Sequence, residues 1–389
     1  MRVALFTDTF LPDVNGVAKT LGRWANYLES QGIECKVFAP TGEQQPGAGS
    51  NVVERFFSIP FFLYPECKIA IPNPINIKKT LREFKPTIIH VATPFNLGLY
   101  GSHYARKHGV PLVASYHTHF DQYLAYYKLH WMEPMLWKYM TWFHADCSKV
   151  YVPSPSALEH LKGRGIPNLE VWGRGIHSER FHPDVDRDEV LRRHGVDPRK
   201  FVVLFVGRLA PEKSVDVLIE AFRRLPEHVR RNMELIIAGD GPLYKDLAAK
   251  YAGDGGKSNV RLLGFVHGKR LSELYAASDV FLFPSATETF GNVVLESLAS
   301  GTPVIGADAG GVKDNVRHGG TGLLCPPGDA GAFSRALLEL YRNAGLRARL
   351  GSAGREYAMS QSWDRVFSRL LDSYRSVPHA EQTQAALII

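Results

Sequence analysis

Phe283-Pro-Ser-Ala-Thr-Glu-Thr-Phe-Gly-Asn-Val-Val-Leu-Glu-Ser-Leu-Ala-Ser-Gly-Thr-Pro-Val-Ile305 carries the reading of this chain. The stretch opens at the end of an apolar run, Val280–Phe283, and passes through a polar loop. A helix-length segment starts near Gly291 and stops at Gly301, before the next apolar run, Pro303–Gly306. Strand, loop, helix, strand is the βαβ unit of a parallel sheet. Glu288 falls in the loop and Glu296 about a turn and a half into the helix, so both carboxylates can face the crevice beyond the strand ends, where open α/β sheets bind ligands. The amides of Phe290, Gly291 and Asn292, with the positive end of the helix, suit phosphate oxygens. Gly291 permits close backbone approach. A carboxylate at such a terminus also serves as a plain dipole-stabilising cap. Two glutamates, a glycine and the strand-loop-helix context together favour the ligand-binding reading.

The same alternation runs outward in both directions. Apolar strand-length runs at Arg2–Thr7, Glu34–Ala39, Ile88–Val91, Leu112–Tyr116 and Lys149–Pro153 form one series. Val202–Val206, Glu234–Ala238, Val260–Leu263, Val280–Phe283 and Pro303–Gly306 form a second. Two series separated by helix-length segments predict an α/β protein of two doubly wound parallel sheets, and 389 residues suffice for two cores. We expect a first domain over residues 1–175, a second over 176–359, and a loose tail at 378–389. The segment Ser362–Tyr374 is amphipathic, and its apolar residues Trp363, Val366, Leu370 and Leu371 predict a helix (360–377) that crosses back onto the first domain.

Bulk properties exclude several classes. No run approaches the roughly 18 apolar residues that span a bilayer. The four cysteines, Cys35, Cys67, Cys147 and Cys325, form no C-x-x-C pair, so neither a disulfide framework nor a zinc site is expected, and the compartment reads as cytoplasmic. Most of the formal charge of +7 lies in the first half. Such an excess attracts phosphates or an anionic membrane surface. No dense Lys/Arg stripe points to nucleic acid.

Glu288 and Glu296, with seven residues between them, form an E-x7-E motif, and with Ser300-Gly-Thr-Pro-Val-Ile the chain resembles retaining glycosyltransferase family 4. The resemblance implies the GT-B architecture, two Rossmann-like domains facing across a cleft, and a hexosyltransferase that uses a UDP- or GDP-hexose. It implies Glu288 on the hexose hydroxyls and Glu296 on the ribose. Val206-Gly-Arg-Leu-Ala-Pro-Glu-Lys is similar to the family's diphosphate clamp, which assigns Arg208 and Lys213 to the leaving group. Ala238-Gly-Asp-Gly-Pro and Leu263-Gly-Phe resemble the loops around the base, with Gly239, Gly241 and Phe265. Leu11-Pro-Asp-Val-Asn-Gly resembles the loop after the first strand that carries Gly16 toward the phosphates; where the family often has two glycines, this chain has Asn15-Gly16. Ser115-Tyr-His-Thr-His resembles a family segment whose first histidine lies beside the sugar and phosphates, which implies a positioning or electrostatic role for His117. On the acceptor side the expected residues are Asn15, His119 and Tyr123.

No cofactor and no metal are expected. His117 and His119 point the same way in an extended segment, but the sequence offers them no third ligand. Asp184-Val-Asp186 reads as solvated charge. Ser115-Tyr-His-Thr-His, Tyr151-Val-Pro-Ser and Leu169-Glu-Val-Trp-Gly-Arg-Gly-Ile resemble the glycolipid-forming subgroup, which includes sulfoquinovosyldiacylglycerol synthases and GDP-mannose-dependent α-mannosyltransferases. The partners implied are a nucleotide sugar and a lipid acceptor at an anionic membrane surface. The aromatic segments Phe56–Pro65 and Tyr123–Met140, with Lys128 and Lys138, suit a headgroup interface or internal packing equally. A transferase acting on a soluble or polysaccharide acceptor, or a nucleotide-sugar epimerase of similar shape, are the alternative readings.

Overall fold

The computed structural model describes residues 1–13, 15–41, 53–61, 64–121, 124, 129–251 and 259–378. They fall into two compact units, Met1–Gly173 with Asp364–Ile389, and Arg174–Trp363. Tyr123, Lys128 and the tail beyond Pro378 lie outside the described residues.

The strands of the first unit are β1 (Arg2–Phe6), β2 (Glu34–Pro40), β3 (Val53–Phe56), β4 (Ser58–Phe61), β5 (Tyr64–Ala70), β6 (Ile88–Val91), β7 (Leu112–Ser115), β8 (Lys149–Val152) and β9 (Leu169–Val171). Seven of them build one parallel sheet in the order β3-β2-β1-β6-β7-β8-β9. Val3 to Phe6 are fully buried, as expected of a central strand covered by helices on both faces. The helix Gly16–Ser30 begins at Asn15, whose side chain accepts the amide of Ala18 at 2.8 Å. Asn73 and Ser154 cap Pro74–Phe84 and Pro155–Lys162 in the same way, each with proline in the first turn. The helix Trp363–Arg375 lays Phe367 and Tyr374 against Trp24, at ring distances of 5.4 and 5.3 Å.

The second unit contains β10 (Phe201–Val206), β11 (Met233–Ala238), β12 (Val260–Gly264), β13 (Val280–Phe283), β14 (Val304–Ala307) and β15 (Gly322–Cys325). All are parallel, in the order β12-β11-β10-β13-β14-β15. This is the doubly wound order, reversing direction between β10 and β13.

All ten strands expected from the sequence are present. Among the described residues, five further strands were not expected from the sequence. β9 is a three-residue edge strand that is mostly half-exposed, β15 is a short Gly-Leu-Leu-Cys run, and β3 is four residues long. β4 lies inside the first aromatic segment, where the sequence shows no alternation, and pairs antiparallel with β5, which runs past that segment to Ala70. Asp186 is an N-cap, accepting the amide of Glu189 at 3.0 Å.

Candidate functional site

The second sheet reverses between β10 and β13, so the loops leaving these two strands diverge and open a crevice at their carboxyl ends. The sequence places its cations on one loop and its first glutamate on the other. After β10, the chain makes a single 3-10 turn, Pro211–Lys213, closed by Ser214 in the left-handed region at φ 51°. Lys213 Nζ meets Glu288 Oε1 at 2.5 Å, with both side chains more than four-fifths buried. The hydroxyl of Ser285 donates to the same Oε1 at 3.0 Å, and to the carbonyl of Glu212 at 3.3 Å. Thr287 also donates to that carbonyl, at 3.1 Å. The two loops are thus stitched together, and Arg208 lies 4.0 Å from the Glu212 carboxylate, on the same turn.

Glu288 is held from a third strand as well. Behind β14, the helix Gly310–Asn315 presses its glycines onto the Glu288–Phe290 backbone. The amide of Gly311 donates to Glu288 O at 2.7 Å, and a Cβ at Gly311 would stand 2.4 Å from the Cα of Phe290. Asn315 Nδ2 donates to Phe290 O at 2.5 Å. Gly291 then takes φ +83°, the left-handed conformation that suits glycine, and opens the helix Asn292–Ala299 with no side-chain cap. The amides at this helix start therefore remain available to oxygen ligands. Glu296 lies one turn on and accepts the Tyr275 hydroxyl at 3.1 Å. Burial, with the nearby Glu296 charge, pushes the Tyr275 hydroxyl well above the usual range, so it stays a donor.

Gly239 and Gly241 have a packing reason for lacking a side chain. A Cβ on Gly239 would sit 1.8 Å from the carbonyl of Gly207, and one on Gly241 2.5 Å from that of Leu209. Leu209 and Leu243 complete the seam, with Leu209 N donating to Asp240 O and Leu243 N to Leu209 O, each at 2.9 Å. The loop after β11 thus props the loop bearing Arg208. Phe265, beyond β12, is 62% exposed and stacks on His267 with ring centroids 5.5 Å apart. An exposed aromatic at a strand's carboxyl end offers a face to a planar ligand.

In the first unit, the ends of β1, β6 and β7 surround a small cavity lined by Thr9, Thr93, Ser115, His117, Phe120 and His144, among others. Asn15 borders it too, but its side chain is engaged in the fold. Besides capping the helix, its Nδ2 donates to Thr9 Oγ1 at 2.8 Å. Gly16 starts the helix and is exposed. Asp8, buried after β1, accepts the Thr93 hydroxyl at 2.6 Å, and burial raises its carboxyl to about 7. His117 Nε2 lies 2.8 Å from Ser115 Oγ, which lies 2.8 Å from His90 Nε2. His90 Nδ1 in turn lies 2.5 Å from the Tyr374 hydroxyl.

His119 turns away from this line. Its Nδ1 is 3.3 Å from the Tyr116 hydroxyl, and its ring packs edge-on to His160 at 5.0 Å. The structure brings Asp121 and His160 beside it, a grouping the sequence did not reveal. His160 Nε2 and Asp121 Oδ2 already meet at 2.9 Å, so a histidine–carboxylate hydrogen bond is the direct description of this cluster. Sequence reasoning also missed Ser285, Gly310, Gly311, Asn315, His90 and Tyr374. Usable signals were the Gly-Gly pair just after a strand and a histidine set inside the apolar run Ile88–Val91.

Comparison with known proteins follows this division. Residues 14–180 match the family model described as Glycosyltransferase Family 4, and residues 186–357 the model described as Glycosyl transferases group 1. The chain is 35% identical to a GDP-mannose-dependent alpha-mannosyltransferase of Mycobacterium tuberculosis, over 99% of each protein. It is 30% identical to the alpha-monoglucosyldiacylglycerol synthase of Streptococcus pneumoniae, over 78% of this chain and 70% of that protein. Its fold is similar to that of HepE from Anabaena, crystallised with UDP and glucose, at a TM-score of 0.77 and 20% identity, covering 97% of this chain and 100% of that one.

Proposed function

The chain belongs to glycosyltransferase family 4, with the GT-B architecture of two Rossmann-type parallel sheets, and on that premise we propose that it transfers mannose from GDP-mannose to a lipid hydroxyl, with retention and without a metal ion. The observation that carries the donor half of this reading is the Lys213–Glu288 pair at the switch point of the second sheet. A cation and a carboxylate held 2.5 Å apart and largely out of water are poised to exchange each other for a ligand that has both a diphosphate and hydroxyls. Lys213 and Arg208 then face the diphosphate, and Glu288 the hexose. Glu296 takes the ribose, with the Tyr275 hydroxyl orienting its carboxylate. Phe265 offers its exposed face to the base. GDP-mannose is chosen because it is the donor named for the mycobacterial relative. A lipid acceptor is supported by the name of the streptococcal relative.

Front-face substitution needs no protein nucleophile. The diphosphate leaves while the acceptor hydroxyl enters on the same face, through a short-lived oxocarbenium-like pair. Charge that grows on the leaving group is met by Lys213, Arg208 and the helix amides after Gly291, fixed in place before the reaction. A departing phosphate oxygen takes the acceptor proton. The protein's part is to orient the donor, hold the leaving charge and keep water from the anomeric carbon. Among the described residues, no helix is long and apolar enough to cross a membrane. The basic excess of the first half supports contact with an anionic membrane surface.

The test is transfer from labelled GDP-mannose to vesicles of diacylglycerol in anionic phospholipid, with EDTA throughout. An α-linked mannolipid is expected. A β-linked product would contradict retention, loss of activity with EDTA would contradict the metal-free reading, and transfer only to soluble glycans would contradict the lipid acceptor.

A further inference from the structure

We propose that Tyr374, His90 and Ser115 form a one-way hydrogen-bond chain that fixes His117 as the tautomer with its proton on Nδ1, which makes all three positioning residues for the transfer site. The inference deepens the reading that His117 touches the donor, and rests on it.

The direction of the chain follows from its closed end. Trp24 Nε1 lies 3.2 Å from the Tyr374 hydroxyl, and an indole nitrogen can only donate. Tyr374 is 1% exposed, and among the described residues its other hydrogen-bond partner is His90 Nδ1 at 2.5 Å; the Tyr151 hydroxyl and Cys35 are nearby without a hydrogen bond to it. The tyrosine proton therefore goes to His90 Nδ1, which accepts. His90 is fully buried, and desolvation lowers it to about 3, so the ring is neutral and carries one proton. That proton sits on Nε2 and is donated to Ser115 Oγ at 2.8 Å. Ser115 has one proton of its own and passes it to His117 Nε2, also at 2.8 Å. His117 Nε2 accepts, and in the neutral ring the proton belongs to Nδ1.

Running the chain backwards fails at the same end. His90 Nδ1–H and Trp24 Nε1–H would both donate to Tyr374, leaving its hydroxyl proton without an acceptor in a buried place. The rings of Trp172 and Tyr151, 6.0 and 6.2 Å from His90, wall the chain in. The chain rises from the interior of the first unit to the cavity at the ends of β1, β6 and β7, and His117 is where it surfaces. A ring held this way carries its proton on Nδ1, the form that donates to a hydroxyl or phosphate oxygen such as those of a sugar nucleotide. It excludes Nε2 as a general base. The link also gives the helix Trp363–Arg375 a say in catalysis, through a residue that touches no substrate.

The experiment is nitrogen NMR on protein labelled with 15N-histidine, with the His117 signals assigned by their loss in His117→Gln. Wild type should show protonated Nδ1 and unprotonated Nε2. Ser115→Ala, which cuts the chain next to His117, should mix the tautomers or shift them to Nε2–H. It should also lower kcat about tenfold, the loss of one aligned hydrogen bond, while the KM for the donor stays within about twofold. Tyr374→Phe should do the same from the far end. Neither change should lower activity further in a His117→Gln background. Protonated Nε2 in wild type, or a Ser115→Ala protein with unchanged tautomer and kcat, would overturn the proposal while leaving the donor site intact. A His117→Gln enzyme with wild-type kcat would remove the reading beneath it.

Discussion

Lys213 and Glu288 form the pair on which the proposed chemistry turns. Either residue alone would be left as a largely buried charge without its partner, so truncation removes more than one contact. Lys213→Ala, Arg208→Ala and Glu288→Gln are each expected to lower kcat/KM about 100- to 1000-fold, the usual loss for one preorganised electrostatic contact. Steady-state kinetics with GDP-mannose checks this, and melting curves within a few degrees of wild type would show that the fold is kept. Asp8 makes a separate prediction about pH. Its carboxyl rises from the ordinary 3.8 to about 7 in the fold, because burial outweighs the hydrogen bonds that favour its charge. The folded state then binds more protons than the unfolded chain between these values. Its contribution is full below the lower value and is lost as pH climbs through the higher one. Asp8→Asn should therefore gain stability relative to wild type as pH rises from 4 toward 8, in denaturant midpoints taken across that range. A difference that stays flat, or runs the other way, would show that Asp8 is ionised in the fold.

Loops and helices show where the sequence was readable. The E-x7-E stretch became the strand, loop and helix that its punctuation implies, because Gly291 and Gly301 interrupt the pattern at backbone positions with φ of +83° and +76°. The central strands were legible because parallel strands buried on both faces are written as unbroken apolar runs. The β4–β5 pair was not, since β4 sits in an aromatic run without alternation and β5 mixes proline and charge among its apolar residues. The Gly311 clamp and the Tyr374–His117 chain were illegible for another reason. Both join residues far apart in the chain, and spacing says nothing about such contacts. Two predictions belong here. Gly239→Ala forces a Cβ onto the Gly207 carbonyl, so it should cost about 1–3 kcal/mol and weaken GDP binding by shifting the Arg208 loop. Calorimetry of the variant with and without GDP reads both. Phe367→Ala empties the contact between the last helix and Trp24, and should destabilise the first unit by about 3–5 kcal/mol. A loss under 1 kcal/mol in denaturant titration would mean that the helix is only loosely attached.

Across the whole molecule, one topology is used twice. Both sheets reverse direction beside their first strand, and each has its polar, chemistry-bearing loops at that reversal. In the second unit these loops carry Arg208, Lys213 and Glu288; in the first they carry Asp8 and Thr93, with His117 one strand further on, after β7. The arrangement explains why, in each unit, the chemistry-bearing side chains come from segments far apart in the sequence. The most direct test of the central claim is thermal unfolding with GDP-mannose and EDTA, run on wild type, Lys213→Ala and Glu288→Gln. At 100 times the dissociation constant, the donor should stabilise wild type by about 2.7 kcal/mol, and both variants by much less. No shift in wild type at millimolar GDP-mannose, or an equal shift in all three proteins, would contradict a donor site built on this pair.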